Sequence, residues 1–126
     1  MRDPFMETLG LRVLSLAPGE AVVAGEVGEG HLNLHGTAHG AFLYALADSA
    51  FALASNSRGA AVALSCRMDY FRPLAPGARV EARAKEVNLS RRTATYQVEV
   101  VSEGKRVALF TGTVFRLGGE EDDVPA

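Results

Sequence analysis

The sequence predicts an α+β domain in which one long helix lies against a single six-stranded antiparallel sheet. Three observations carry that prediction. Segment 38–54 (AHGAFLYALADSAFALA) is rich in Ala and Leu and long enough for several helical turns. The chain on either side of it alternates apolar and polar residues with the two-residue period of strands. Those alternating runs are separated by Pro18-Gly19, Pro76-Gly77 and Glu103-Gly104, which punctuate strands as turns do. At 126 residues and 48% hydrophobic composition, the chain can bury one core and not two.

Taken in order, 11–16 and 20–27 flank Pro18-Gly19 as a hairpin. Residues 28–36 carry three glycines and an asparagine without periodicity and form a loop. A helix over 37–56, about 30 Å long at 1.5 Å per residue, stops before Arg58-Gly59. Segment 62–70 then places Val62, Leu64, Cys66, Met68 and Tyr70 on one face of a strand. Strands over 79–86, 93–101 and 105–117 follow, and the four are expected to form a meander. The domain is expected to span 1–117. The closing 118–126, acidic and poor in apolar residues, is expected to be a disordered tail. The helix is apolar nearly all round, so the sheet must wrap it, a partner subunit must cover it, or both.

Composition removes several function classes. A net charge of −2 with scattered arginines argues against nucleic-acid binding. Residues 1–8 lack the apolar run of a signal peptide, and the one apolar segment is broken by His39, Asp48 and Ser49, so no membrane span and a cytoplasmic location are expected. A single cysteine, Cys66, excludes a disulfide within the chain and is expected to face the core as an inert thiol. No serine-nucleophile elbow, phosphate loop or dinucleotide fingerprint is present. His31, His35 and His39 would align for a metal on a continuous helix, but Gly30, Asn33 and Gly36 break any helix there, so no metal site is expected.

Asp48 is the residue that most needs a reason. A carboxylate among Phe, Leu and Ala must find a partner or hold its proton, and no helix-end or turn role accounts for one in mid-helix. Its structural alternative is a buried ion pair with an arginine of a neighbouring strand or subunit. Upstream, the polar, glycine-rich run Asn33–Gly40 enters the helix and presents backbone N–H groups suited to an oxyanion. Gly40 and Asp48 are eight positions apart, about 12 Å along a helix, so one chain cannot readily bring both to one reacting carbonyl. Two chains with antiparallel helices can, which predicts a dimer with two sites if these residues act together. Taken singly, Asn33, Gly36, Gly40 and His39 also fit ordinary turn, backbone and capping roles.

The run Asn33-x-x-Gly36-x-x-His39-Gly40, followed by Leu46-Ala47-Asp48-Ser49-Ala50 and later by Asp69-Tyr70-Phe71-Arg72-Pro73-Leu74, resembles the hotdog-fold acyl-CoA thioesterases of the phenylacetate-degradation, PaaI-like group. The resemblance covers nearly the whole domain. It implies a sheet wrapped around the long helix, dimers with sites at the interface and commonly tetramers. It also implies a Gly40 N–H that polarises the thioester carbonyl, Asn33 and His39 that order the site, and Asp48 of the partner chain as general base or, as the lesser alternative, as nucleophile. The family often reads His-Gly-Gly, whereas Ala41 follows Gly40 here and narrows the space beside the acyl group. Ser65 is the nearest hydroxyl candidate to hold the water.

The expected activity is therefore hydrolysis of an aryl-acetyl type of acyl-CoA, with coenzyme A as part of the substrate and no further cofactor. Gly36 and Ala41 border the substrate; Arg72, Arg91 and Arg92 stand in or near loops where CoA phosphates could reach them. Phe42, Tyr44 and Phe51 are candidates for the acyl pocket, against their commoner role as core. The rival reading is a non-catalytic acyl-CoA binding protein of the same fold, which has no need of Asp48. A hydratase would need a His and acid pairing that this chain does not show.

Overall fold

The computed structural model describes residues 2–118. Along the chain come α1 (Pro4–Thr8), β1 (Arg12–Ala17), β2 (Glu20–Glu26), a 3-10 turn (Glu29–His31), α2 (Gly40–Asn56), β3 (Ala61–Tyr70), β4 (Arg79–Leu89), β5 (Thr93–Ser102) and β6 (Lys105–Arg116). The six strands form one antiparallel sheet in the order β1-β2-β4-β5-β6-β3. That sheet curls around α2, which touches all six strands and most closely β2, β4 and β5. The tail expected over 118–126 lies, beyond Gly118, outside the described residues.

The expected four-strand meander is corrected to three. β4, β5 and β6 follow one another in the sheet, but β3 pairs with β6 and stands at an edge. The connection 71–78 explains this: it has eight residues, too many for a tight hairpin, and Pro73 and Pro76 remove ladder donors. It therefore crosses the open side of the sheet and is tied on the way, with Ala38 N–H donating to Leu74 O at 2.9 Å and Gly77 N–H to Val27 O at 2.7 Å.

The face assigned to β3 also changes. The ladder slips between Ala63 and Ser65, leaving Leu64 as an extra residue and reversing the alternation there. Cys66 and Met68 pack against the core as expected, whereas Val62 and Leu64 are 50% and 59% exposed. Helix α2 starts three residues later than the sequence suggests, because Asn33 holds Thr37 and because Ala38 and His39 donate to Leu74 and His31 in extended conformation. Helix α1 was not expected. Asp3 caps it by accepting from Met6 N–H, and Pro4 sits where a helix tolerates the missing donor.

The core gathers where α2 meets the sheet. Phe51 packs edge-on to Tyr96 and tilted to Phe110, with ring centroids 6.0 and 5.2 Å apart. Gly112 makes room for it, since a Cβ there would stand 2.7 Å from Phe51 Cζ. On the side of α2 turned away from the sheet, Ala41 and Ala52 are exposed and Asp48 is half-buried. The described residues leave that stripe uncovered.

Candidate active site

The loop before α2 is held by its own polar side chains. Asn33 Oδ1 accepts from His35 N–H at 2.9 Å and from Thr37 N–H at 3.1 Å, while Nδ2 donates to Thr37 Oγ1 at 3.1 Å. Gly36 turns the loop at φ +80°, which a side chain would strain. His31 Nδ1 accepts from Gly28 N–H at 2.9 Å, and its ring stacks on Phe42 at 3.9 Å. His39 caps α2, its Nδ1 accepting from Ala41 N–H at 2.9 Å. The three imidazoles thus have separate surroundings, and His35 is exposed. Among the described residues no cluster of three His, Cys, Asp or Glu side chains is arranged for a metal.

These bonds leave one donor open. Ala41 N–H goes to the His39 ring, and Phe42 and Leu43 N–H go to His39 O at 2.9 and 3.2 Å. Gly40 N–H has no acceptor among the described residues. It lies beside a cleft of about 340 Å³ lined by Asn33, Thr37, Gly40, Tyr70, Phe71 and Arg72. Tyr70 hydroxyl donates to Gly40 O at 3.0 Å and its ring borders the glycine. An apolar cleft of about 240 Å³ opens on the other side of the helix start, between Phe5 and Leu9 near α1 and His39, Ala41 and Ala45. A larger depression of about 440 Å³ over β1, β2 and β4 is lined by Arg12, Glu26, Arg79, Glu81 and Arg83 and contains none of the site candidates.

Asp48 makes no hydrogen bond or ion pair among the described residues. Burial raises its pKa above the ordinary carboxylate value, and the Asp3 carboxylate adds to the rise. The alternative of an arginine partner from a neighbouring strand is thus not realised among the described residues. Tyr44 and Cys66 are beside it: burial first, then the hydrogen bond with Cys66 and the Asp48 charge, push the Tyr44 hydroxyl up to about 12. Burial also pushes the Cys66 thiol up, against the pull of Tyr44, which is the wrong direction for a nucleophile.

The remaining candidates divide between the two ends of the helix. Arg72 is at the cleft with Gly40. Arg91 and Arg92 stand at the β4–β5 turn, where Thr93 pairs with Phe115 and Phe115 with Val62, beyond the C-terminal end of α2. A helix of 17 residues, about 25 Å long, separates them from Gly40 in one chain. Ser65 is exposed on the outer face of β3, opposite Thr113, and is not part of the cleft. Phe42 and Phe51 are core residues, and Tyr44 is half-buried against Phe110. The sequence reading missed the contact of Tyr70 with Gly40 and the whole of α1. Only the Asp3-Pro4 helix start could have signalled the latter.

The thioesterase superfamily model matches residues 35–109, from the site loop through α2 and β3 to β6. The chain belongs to the thioesterase superfamily. Its wrapped sheet and central helix are the hotdog fold expected from the sequence motifs. Among curated relatives, the acyl-coenzyme A thioesterase PaaI of Escherichia coli is 41% identical over 119 residues, covering 93% of this chain and 85% of that protein. Among solved structures, a mutant of the phenylacetic acid degradation protein PaaI from Thermus thermophilus is 87% identical, with a TM-score of 0.91 and coverage of 91% and 100%. A Streptococcus mutans protein bound to acetyl CoA is 30% identical, with a TM-score of 0.83 and coverage of 86% and 90%. Among the described residues of this superfamily member, no helix is long and apolar enough to cross a membrane.

Proposed function

We propose that this protein hydrolyses acyl-CoA thioesters, with an aryl-acetyl type of acyl group, as a cytoplasmic homo-oligomer that needs no cofactor beyond the CoA of its substrate. The observation that carries the reading is the pair of polar groups left open on α2: a donor at its start, Gly40 N–H, and a carboxylate at its middle, Asp48. Thioester hydrolysis needs such a pair, one to hold the oxyanion and one to take a proton from water. Relatives named for acyl-CoA hydrolysis and phenylacetate degradation, and one bound to acetyl CoA, support the substrate class.

The reaction requires two chains. With α2 antiparallel to its counterpart, Gly40 of one chain faces Asp48 of the other, and the exposed Ala41 and Ala52 let the helices approach. The same arrangement brings the β4–β5 turn of the second chain, with Arg91 and Arg92, towards the cleft that holds Arg72, so that all three can meet CoA phosphates. β3 stands at an edge of the sheet and in this reading pairs with its copy, and two such dimers make the tetramer. Water attacks the thioester carbonyl carbon while Asp48 takes its proton, and Gly40 N–H holds the resulting oxyanion. Collapse of the tetrahedral intermediate breaks the carbon–sulfur bond, and the proton on Asp48 passes to the leaving CoA thiolate. Asn33 and His39 act by holding the loop and the cap, and Gly36 and Ala41 border the acyl group.

Thiol release from phenylacetyl-CoA, its hydroxylated relatives and acetyl-CoA tests the proposal. Turnover by the wild type, highest for the aryl esters and about a hundredfold or more lower in Asp48→Asn, is the expected result. No thiol from either protein would sink the hydrolase and leave an acyl-CoA binding protein in its place.

A further inference from the structure

We propose that Tyr70 is a positioning residue that aims the Gly40 N–H at the substrate oxygen, an inference that rests on the hydrolytic reading above. Glycine is the residue least able to hold a fixed N–H direction, because its φ and ψ are nearly unrestricted. A donor that must meet an oxyanion within about 3 Å needs the opposite. The surroundings of Gly40 supply what the residue lacks.

The peptide unit between Gly40 and Ala41 is held at both ends. Its carbonyl accepts from Tyr70 hydroxyl at 3.0 Å, and its N–H donates to His39 Nδ1 at 2.9 Å. The preceding peptide unit, which carries the Gly40 N–H, is held at its His39 carbonyl, which accepts from Phe42 and Leu43 N–H at 2.9 and 3.2 Å, so with a fixed plane on each side of the Gly40 Cα the N–H keeps one direction. Beside it, the Tyr70 ring forms a wall: a Cβ on Gly40 would stand 3.3 Å from Cζ and 3.4 Å from Cε1 and the hydroxyl oxygen. A side chain at this position would need the ring to give by a few tenths of an ångström.

Tyr70 is itself anchored. It closes β3 opposite Ala108 of β6, and the next two residues, Phe71 and Arg72, donate to Val107 O at 2.8 and 3.3 Å. Burial raises the pKa of its hydroxyl, so the group remains a donor across the working range. The tie therefore joins the sheet edge to the start of α2 across 30 positions of sequence. The same side chain lines the cleft that holds Arg72, so substrate would bind against the post that aims the oxyanion donor.

The test compares wild type, Tyr70→Phe and Tyr70→Ala on an acyl-CoA ester that the wild type turns over, with kcat, KM, the pH profile and thermal midpoint measured for each. Misplacing a reacting group by about 1 Å costs about a hundredfold in rate, so loss of the hydroxyl with the ring kept is expected to lower kcat about tenfold, and loss of both to lower it further. The expected pattern for Tyr70→Phe keeps KM within about twofold, the acid limb set by Asp48 unmoved and the midpoint near that of the wild type, a split that belongs to transition-state positioning. A Tyr70→Phe enzyme with wild-type kcat, or one whose kcat falls only in step with its midpoint, overturns the inference and leaves the hydrolase standing. A wild type that releases no thiol from any ester overturns the hydrolase reading and this inference with it. If Tyr70→Ala does not fold, Tyr70→Phe alone decides.

Discussion

At the C-terminal end of α2 the polar groups close on one another, while at its N-terminal end and middle two are left open. Ser57 Oγ donates to Ala54 O at 2.6 Å and accepts from Gly19 N–H at 2.8 Å. Asn56 Nδ2 donates to Ala52 O, and its Oδ1 accepts from Ala61 N–H. Glu86 Oε2 receives both Arg58 Nε and the Tyr96 hydroxyl at 2.9 Å. These contacts join the β1–β2 turn, the helix end, β4 and β5. Gly40 N–H and Asp48 have no such partners among the described residues. A polar group left unsatisfied out of water costs about 1–3 kcal/mol, so the closed end supplies stability that the open part gives up. One helix thus has its polar groups closed at one end and, in the proposed reaction, open for chemistry over the rest.

The largest effect that would break this comparison comes from removing the open donor alone. Gly40→Pro deletes the N–H at the first helical position, where proline is favoured, and His39 at φ −66°, ψ 137° already has the backbone that a residue before proline adopts. The added Cβ meets the Tyr70 ring at 3.3 Å and needs a shift of a few tenths of an ångström. Loss of one oxyanion donor is worth about 10²–10³ in kcat. Thiol release should fall by that factor with circular dichroism and thermal midpoint close to wild type. Unchanged turnover would mean that the open donor is not used.

The closed end should respond in the opposite sense. Glu86→Ala takes the acceptor from the Tyr96 hydroxyl, in a residue only 1% exposed, and removes one ion partner of Arg58. A loss of about 2–3 kcal/mol in denaturant unfolding is expected. For enzyme that remains folded, kcat should stay within about twofold of wild type. A selective fall in kcat would show that the two ends are not separate.

What the sequence disclosed follows the same division. Asp48 was legible because a lone carboxylate in an apolar run has few explanations, and α2 because its composition and its glycine-bounded ends agree. The loop from Asn33 to Gly36 was legible as turn chemistry, and the bonds made by Asn33 realise it. The place of β3 at the sheet edge was not legible, since pairing with β6 is decided by register between distant strands and by a bulge that local alternation does not announce. Tyr70 read as one more alternating strand residue. Its role depends on a contact 30 positions away, and aromatic residues in strands are ordinarily core. Helix α1 did have a local signal in Asp3-Pro4, but its five residues are too few to show a period.

The smallest expected effect concerns stability at the open position. Because burial and the Asp3 carboxylate raise the Asp48 pKa, the folded chain holds this proton more tightly than the unfolded chain does. Between the ordinary carboxylate pKa and the raised one the native state therefore binds more protons, and stability falls as pH rises through that window. Below it the aspartic acid is neutral in both states and costs nothing as a charge; above it the full cost of holding a desolvated carboxylate is present. Asp48→Asn removes that cost. Its thermal midpoint should exceed the wild type's by a few degrees at neutral pH, and the gap should shrink as pH drops below the carboxylate range. The substitution expected to lower turnover is thus also expected to stabilise the protein, as a group kept for chemistry requires. A midpoint gap that is absent at neutral pH, or that widens in acid, would instead mean that the Asp48 carboxylate finds a partner across the subunit interface that compensates its burial.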